Sequence, residues 1–126
     1  MKRDLDLVRS LLLKIEAEHR PMQMCSFTED DFPNESSEEW NRVKEHFRLM
    51  SDAGFIESGS LTSTSYNLRG ISWAGHEFLD SIRDEEVWKR TKEGANKVGS
   101  WSLETLSEIA RAIAKKKLRD LTDMQF

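Results

Sequence analysis

The stretch HFRLMSDAGFI, residues 46–56, decides the fold of this chain. Phe47 and Met50 are three residues apart, the spacing that places side chains on one face of a helix. Gly54 supplies a stop, because glycine adopts the left-handed backbone conformation that ends many helices. Phe55 and Ile56 then begin a strand. The stretch therefore predicts an amphipathic helix that leads directly into β structure.

The residues on either side extend this pattern. Trp40 and Val43 continue the apolar face upstream, so the helix is expected to begin near Ser36 or Ser37. Downstream, two short apolar segments flank a Ser/Thr-rich turn region, which is typical of a β-hairpin. The predicted strands are Phe55–Ser58 and Tyr66–Ile71, and the predicted turn region is Gly59–Ser65.

The rest of the chain is predicted to be mostly helical. Asp4 can cap a first helix, which Pro21 ends. The further predicted elements are a helix at Leu5–His19, a strand at Met22–Phe27, a loop with one short helical turn at Thr28–Glu39, a helix at Trp73–Ile82, a helix capped by Asp84 that runs towards Lys92, a flexible connection between Gly94 and Gly99, and a last helix after Ser102.

This order of elements predicts an α+β fold of the winged-helix type. It consists of a helix, a short strand, a helix and a β-hairpin wing, with additional C-terminal helices. A length of 126 residues fits one domain, so residues 1–126 are expected to form a single winged-helix-like domain. Residues 84–126 are then a C-terminal helical extension of that domain.

Composition indicates a soluble cytoplasmic protein. The formal net charge is -4, and 33% of the residues are charged. The longest apolar run near the N-terminus is Leu11–Leu13, which is far too short to cross a membrane, and no signal-peptide core follows Met1. Cys25 is the single cysteine, so no internal disulfide can form and a reducing compartment is the simplest expectation.

Four segments carry a resemblance to a known family. They are MKRDLDLVR at residues 1–9, the stretch at 46–56, WAGHEFLDSIRD at 73–84 with Val87-Trp88 after it, and GSWSL at 99–103. With these segments the chain resembles the bacterial and phage family called domain of unknown function 2513. The resemblance implies a bacterial or phage protein and supports the predicted fold, but implies no activity.

Two binding hypotheses follow. In winged-helix proteins the helix before the wing enters the DNA major groove, and phosphate contact depends on Lys and Arg. This hypothesis predicts weak, salt-sensitive DNA binding. Against it stand Glu45, a wing tip without charge, and the lack of room for a supporting helix between Phe27 and Trp40. The predicted nucleic-acid-binding residues are Asn41, Arg42, Lys44, Arg48 and Arg69.

The alternative is a protein-interaction module, or a phage-type inhibitor of a host defence or nucleic-acid-processing complex. Its predicted acidic contacts are Glu29, Asp30 and Asp31 in the loop before the second helix, although such a loop is more often simply solvated. Trp88 and Trp101 are expected either to cover the C-terminal helices or to form a subunit contact. A homodimer through the terminal helices is a further hypothesis.

Catalysis is not expected from this sequence. His19, His46 and His76 are far apart, and no paired Cys/His spacing predicts a metal site. No phosphate-binding glycine loop or nucleophile elbow is present, so no cofactor is predicted. A cysteine-dependent enzyme would require the fold to bring Cys25 beside His46.

Overall fold

Five helices and three strands make up the described part of the computed structural model, which comprises residues 3–32 and 37–123. In chain order they are α1 (Leu5–Glu18), β1 (Cys25–Thr28), α2 (Ser37–Asp52), β2 (Ile56–Leu61), β3 (Ser65–Ile71), α3 (Trp73–Ile82), α4 (Glu85–Val98) and α5 (Leu103–Asp123). A 3-10 turn at Glu29–Asp31 follows β1. The predicted α+β class is confirmed.

The three strands form one small antiparallel sheet in the order β1-β3-β2. Cys25 of β1 lies opposite Leu68 of β3, and Ile56 of β2 lies opposite Ile71. The β2–β3 register shifts after Glu57, whose partner is Gly70 with a φ of 145°. The central strand is therefore the one that follows the hairpin turn, and β1 pairs with it from the other side.

Two compact units divide the chain, Met1–His76 and Glu77–Phe126. The core of the first unit is built around a run of stacked aromatic rings from three elements. The ring centroid of Phe47 lies 5.6 Å from that of Phe27 and 5.0 Å from that of Tyr66. The inward face of α1 adds buried aliphatic side chains to this core, namely Leu5, Val8, Leu11, Leu12 and Ile15.

The second unit contains the helical pair α4 and α5. Gly94 of α4 lies against Ile109 of α5, where a Cβ added to the glycine would sit 3.0 Å from Ile109 Cγ2. Leu106 and Ala110 of α5 are fully buried. The predicted organisation of one domain with an extension from residue 84 stays a prediction.

The predicted strand Met22–Phe27 is wrong at its start. Met22 has a φ of 65°, a left-handed conformation that no strand residue adopts, and the backbone turns at residues 21–23. The strand therefore begins at Cys25. Between Phe27 and Trp40, the described residues are Thr28 at the end of β1, the 3-10 turn, Phe32 and the first residues of α2.

The predicted turn region Gly59–Ser65 is too long. The strand β2 continues to Leu61 and β3 starts at Ser65, which leaves Thr62–Thr64 as the turn. Hydrogen bonding within this turn explains its short length, because Thr62 Oγ1 accepts from the backbone N–H of Ser65 at 3.0 Å. The predicted helix start at Ser36, and Pro33 and Asn34 in the predicted loop, lie outside the described residues.

The predicted flexible connection between Gly94 and Gly99 is also wrong. The helix capped by Asp84 does not end near Lys92 but continues through Gly94 to Val98. Gly99, with a φ of 77°, is its C-cap and donates its backbone N–H to the carbonyl oxygen of Ala95. Of the two glycines, only Gly99 ends the helix; Gly94 is a contact residue inside it.

Candidate functional site

The helix α2 has a buried face and an exposed face, as its sequence predicts. Trp40, Val43, Phe47 and Met50 are all at most 4% exposed. The opposite face carries the polar residues on which the DNA hypothesis depends. What those residues contact therefore decides how much positive charge the helix can offer to a ligand.

Arg42 is held by two carboxylates. Its guanidinium donates to Asp4 Oδ2 and, at 3.2 Å, to Glu39 Oε2. The hydrogen bond to Asp4 raises the pKa of Arg42, against a lowering by burial. Burial alone would raise the pKa of Asp4, but the backbone N–H of Leu7 and the guanidinium together lower it. The positive charge of Arg42 is thus compensated within the first unit.

Arg48, six residues further along α2, is compensated in the same way. Its guanidinium donates to Glu45 Oε1 and, at 2.9 Å, to Asp52 Oδ2. The hydrogen bond from Arg48 lowers the pKa of Glu45, so this carboxylate is ionised at neutral pH. Both α2 arginines of the predicted nucleic-acid-binding set are therefore already paired with acids.

The other members of that set have different surroundings. Lys44 Nζ lies 5.6 Å from the centroid of the Trp40 ring and 3.4 Å from the carbonyl oxygen of Ser63 in the hairpin turn. Asn41 is exposed on α2, and Arg69 is exposed on β3.

The predicted acidic contacts have different surroundings. Glu29 and Asp30 are exposed in the 3-10 turn. Asp31 is half-buried, and its Oδ2 accepts the backbone N–H of Thr28 at 2.7 Å. That hydrogen bond closes a capping box and gives Asp31 a structural role.

The two tryptophans predicted to cover helices or contact a second subunit differ in exposure. Trp88 is 4% exposed, and Lys92 Nζ lies over its ring at 5.6 Å. This burial matches the covering role. Trp101 is half-buried just before Ser102, whose Oγ accepts the backbone N–H of Thr105 at the start of α5.

The histidine and cysteine considered for catalysis are both buried in structural roles. His46 accepts the backbone N–H of Asp4 at Nε2, at 2.9 Å, and its Nδ1 therefore carries the proton donated to the carbonyl oxygen of Arg42, at 2.8 Å. Burial, together with Glu18 and Asp31, raises the pKa of the Cys25 thiol. A thiol kept protonated and a histidine with both nitrogens bonded to backbone do not form a nucleophile pair.

Among the described residues, no group of three or more His, Cys, Asp or Glu side chains is placed to hold a metal ion. The same part of the chain contains no helix with the length and apolar character that membrane crossing requires.

Trp73 is a surface feature that the sequence reasoning missed. Its side chain is 81% exposed, although it is the first residue of α3. Ser72 anchors this helix start to the residues that follow α2. Its backbone N–H donates to the carbonyl oxygen of Phe55 at 2.9 Å, and its hydroxyl donates to the carbonyl oxygen of Gly54. The start of α3 is therefore held close to the chain that follows α2. A signal was present, since Trp73 falls off the apolar stripe formed by Phe78, Leu79 and Ile82.

Residues 2–102 match the protein family described as "Hypothetical protein (DUF2513)". The chain belongs to this family. It is also similar to an uncharacterized protein of Haemophilus influenzae, with 37% identity over 122 residues that cover 94% of this chain and 99% of the relative. No solved structure matches the chain.

A groove of about 530 Å³ lies between α4 and α5 of this chain. Its apolar floor includes Val87, Ile109 and Ile113. Its rim carries charges of both signs, namely Arg90, Lys97, Lys116, Lys117, Glu86, Glu93 and Asp120. Arg90 pairs with Glu86 at 2.9 Å, and Lys117 lies 3.7 Å from Asp84. The groove has no single charge preference and does not select a ligand class.

Proposed function

We propose that this chain is a non-enzymatic protein-interaction module of winged-helix-like architecture. Its contact surface is the exposed face of α2 together with Trp73. The order of helix, strand, helix, hairpin and helix supports the winged-helix-like arrangement. The observation that carries the choice of a protein ligand is the pairing of Arg42 and Arg48 with two carboxylates each.

Charge supports a protein partner over DNA. DNA binding draws its affinity from cations that replace the counterions of the phosphates, and a cation already paired with acids gains little by exchanging them. The segment 37–52 contains four carboxylates, at Glu38, Glu39, Glu45 and Asp52, against three cations, at Arg42, Lys44 and Arg48. A surface of mixed charge fits the polar rim of a protein–protein interface.

Trp73 supports the same choice. Tryptophan is among the residues that contribute most to protein–protein binding, because its large ring can fill an apolar pocket on the partner. Here Trp73 is 81% exposed, and the helix that it begins is hydrogen-bonded through Ser72 to Gly54 and Phe55, just after α2. An exposed aromatic residue together with a surface of mixed charge is typical of a protein–protein interface rather than of a phosphate-binding surface.

Affinity capture from a lysate of the producing cells tests this proposal. A defined protein should be retained by the wild-type chain and lost with Trp73→Ala. Met24→Ala is the matched control, since Met24 is a 58% exposed apolar residue of the same unit, outside the proposed surface. Retention that does not depend on Trp73 would contradict the proposed surface.

A DNA titration is the second arm. Fluorescence anisotropy at physiological salt should show no binding beyond the non-specific range, with a Kd weaker than about 10⁻⁶ M. Tighter binding that is lost in Arg48→Ala would instead show that α2 binds nucleic acid. A further variant, Asp30→Lys, tests the acidic turn while leaving the structural hydrogen bond of Asp31 intact.

A further inference from the structure

We propose that α5 pairs in antiparallel orientation with α5 of a second copy of this chain, through the helix face opposite α4. This surface lies in the unit Glu77–Phe126, and the inference is independent of the proposed contact surface on α2. It rests on which residues of α5 are exposed and on the order of their charges.

The two faces of α5 have different roles. Leu106 and Ala110 are fully buried, and Ile109 lies against Gly94 of α4. Four other residues are spaced four, seven and four positions apart. Because an α-helix has 3.6 residues per turn, they share one face, on the side of α5 opposite the buried residues. This set, which we call the charged stripe, consists of Glu104, Glu108, Lys115 and Arg119, all exposed.

The charged stripe is complementary to itself when reversed. Glu104 and Arg119 share the same midpoint as Glu108 and Lys115, and that midpoint falls between Arg111 and Ala112. In an antiparallel pair centred there, each Glu104 faces Arg119 of the second copy and each Glu108 faces Lys115 of the second copy. Arg111 of both copies lies on the same side of the two-fold axis, and this one like-charge approach weakens the pair. Two-fold symmetry repeats every favourable pair.

The residues of the charged stripe are available for these pairs. None of the four forms an ion pair with another side chain in the described part of the chain. Leu118 is 65% exposed and flanks the stripe, which adds apolar area to the contact. Glu86, Arg90, Glu93 and Lys97 of α4 repeat this pattern about a midpoint between Thr91 and Lys92, but they line the groove beside α5, and Glu86 pairs with Arg90. The charged stripe of α5 has no such ion pairs among the described residues, so a second copy is the occupant that its charges select.

The expected association is weak and depends on salt. The 21 residues of α5 span roughly 30 Å, and contact along one helix face buries less than the ~1,600 Å² of a standard interface. Charge pairs at such a surface are strongly screened when the Debye length falls from about 30 Å at roughly 0.01 M salt to about 3 Å at 1 M.

Sedimentation equilibrium of the 126-residue chain at these two salt concentrations tests the proposal. The wild-type chain should form dimers at low salt and dissociate at high salt. Glu108→Lys and Lys115→Glu should each weaken dimerisation at least about tenfold, because each substitution reverses two symmetric pairs. Lys89→Glu, an exposed charge change on α4, is the control and should leave dimerisation unchanged.

Mixing the two variants provides the decisive measurement. An equimolar mixture of Glu108→Lys and Lys115→Glu restores opposite charges at every facing position, so the mixture should dimerise as the wild type does. If either variant loses the circular dichroism of the wild type, Glu104→Lys and Arg119→Glu replace the two variants in the same mixing experiment. A monomeric wild type at low salt, or a mixture that stays monomeric, would overturn the antiparallel pairing.

Discussion

His46 connects the start of α1 to the middle of α2 through a single side chain. Its two ring nitrogens bond the backbone of Asp4 and of Arg42, and the ring is fully buried. The donor at Asp4 requires an unprotonated Nε2, which assigns the neutral tautomer with its proton on Nδ1. A buried histidine between two backbone groups contributes to stability and leaves no nitrogen for catalysis.

Replacing His46 with alanine should destabilise the protein by about 3 kcal/mol, because it opens a cavity and leaves the N–H of Asp4 without its acceptor. Urea denaturation followed by circular dichroism measures the change. His76→Ala is the matched control, since His76 is exposed, and should cost less than about 0.5 kcal/mol. Equal losses in the two variants would show that the His46 hydrogen bonds contribute little.

Asp4 should make stability depend on acid pH. Its pKa is lowered from the ordinary value of 3.8, so the folded state favours the ionised carboxylate. The resulting stabilisation is fully present above the unfolded-state pKa and is lost as the pH falls through the lower folded-state pKa. Because the side chain is 36% exposed, solvent screening limits the stabilisation to below about 1 kcal/mol.

The stability difference between the wild type and Asp4→Asn should therefore shrink below about pH 4. Urea midpoints measured at a series of pH values give this difference. Asp30→Asn, which alters an exposed carboxylate of the 3-10 turn, is the comparison variant. A wild-type advantage over Asp4→Asn that stays constant down to the lowest pH would contradict the role given to the Arg42 pair.

At the scale of elements, two helical glycines should respond differently to substitution by alanine. A Cβ at Gly75 would sit 2.1 Å from the carbonyl oxygen of Phe55, whereas a Cβ at Gly94 would meet the Ile109 side chain at 3.0 Å. Backbone cannot move away cheaply, but the half-buried Ile109 can change rotamer. Gly75→Ala should therefore destabilise by about 2 kcal/mol or more.

Gly94→Ala should change stability by less than about 1 kcal/mol, because the gain in helix propensity offsets the crowding of Ile109. Thermal unfolding followed by circular dichroism compares the two variants. A similar loss in both would mean that the contact between α3 and Phe55 relaxes more readily than its geometry indicates.

The sequence predicted the elements well where local signals agree with packing. Gly54 ends α2 as expected, with a φ of 80°, and Asp84 caps α4 through the N–H groups of Glu86 and Val87. Gly94 misled the prediction because its local cost of about 1 kcal/mol is outweighed by helix packing, which only the partner helix reveals. The displaced start of β1 has a similar cause, since Pro21 and Met22 form a turn that no alternation pattern encodes.

The charge pairs of the candidate site were only partly predictable. The pairs of Arg42 with Glu39 and of Arg48 with Glu45 and Asp52 follow from three- and four-residue spacing on one helix. The pair of Arg42 with Asp4 joins residues 38 positions apart, and no local rule indicates it. The sequence therefore located the cations of α2 but could not show how completely they are compensated.

At the scale of the whole molecule, Cys25 can report on opening of the first unit. The thiol is 8% exposed, and burial, with Glu18 and Asp31, raises its pKa. The native protein should therefore react with a disulfide reagent at least about tenfold more slowly than the urea-unfolded chain. Absorbance of the released thiolate measures both rates. Equal rates would show that β1 opens freely and that the thiol is accessible.

The hydrogen bond between Asp4 and His46 also has a kinetic consequence. It spans 42 residues, so the start of α1 receives its final contact only after the chain has closed a long loop. One loop closure, with a single entropic cost, forms several contacts. It brings Arg42 to Asp4 and packs α1 against the aromatic core. The first turn of α1 should accordingly be among the last backbone to become protected from hydrogen exchange during refolding.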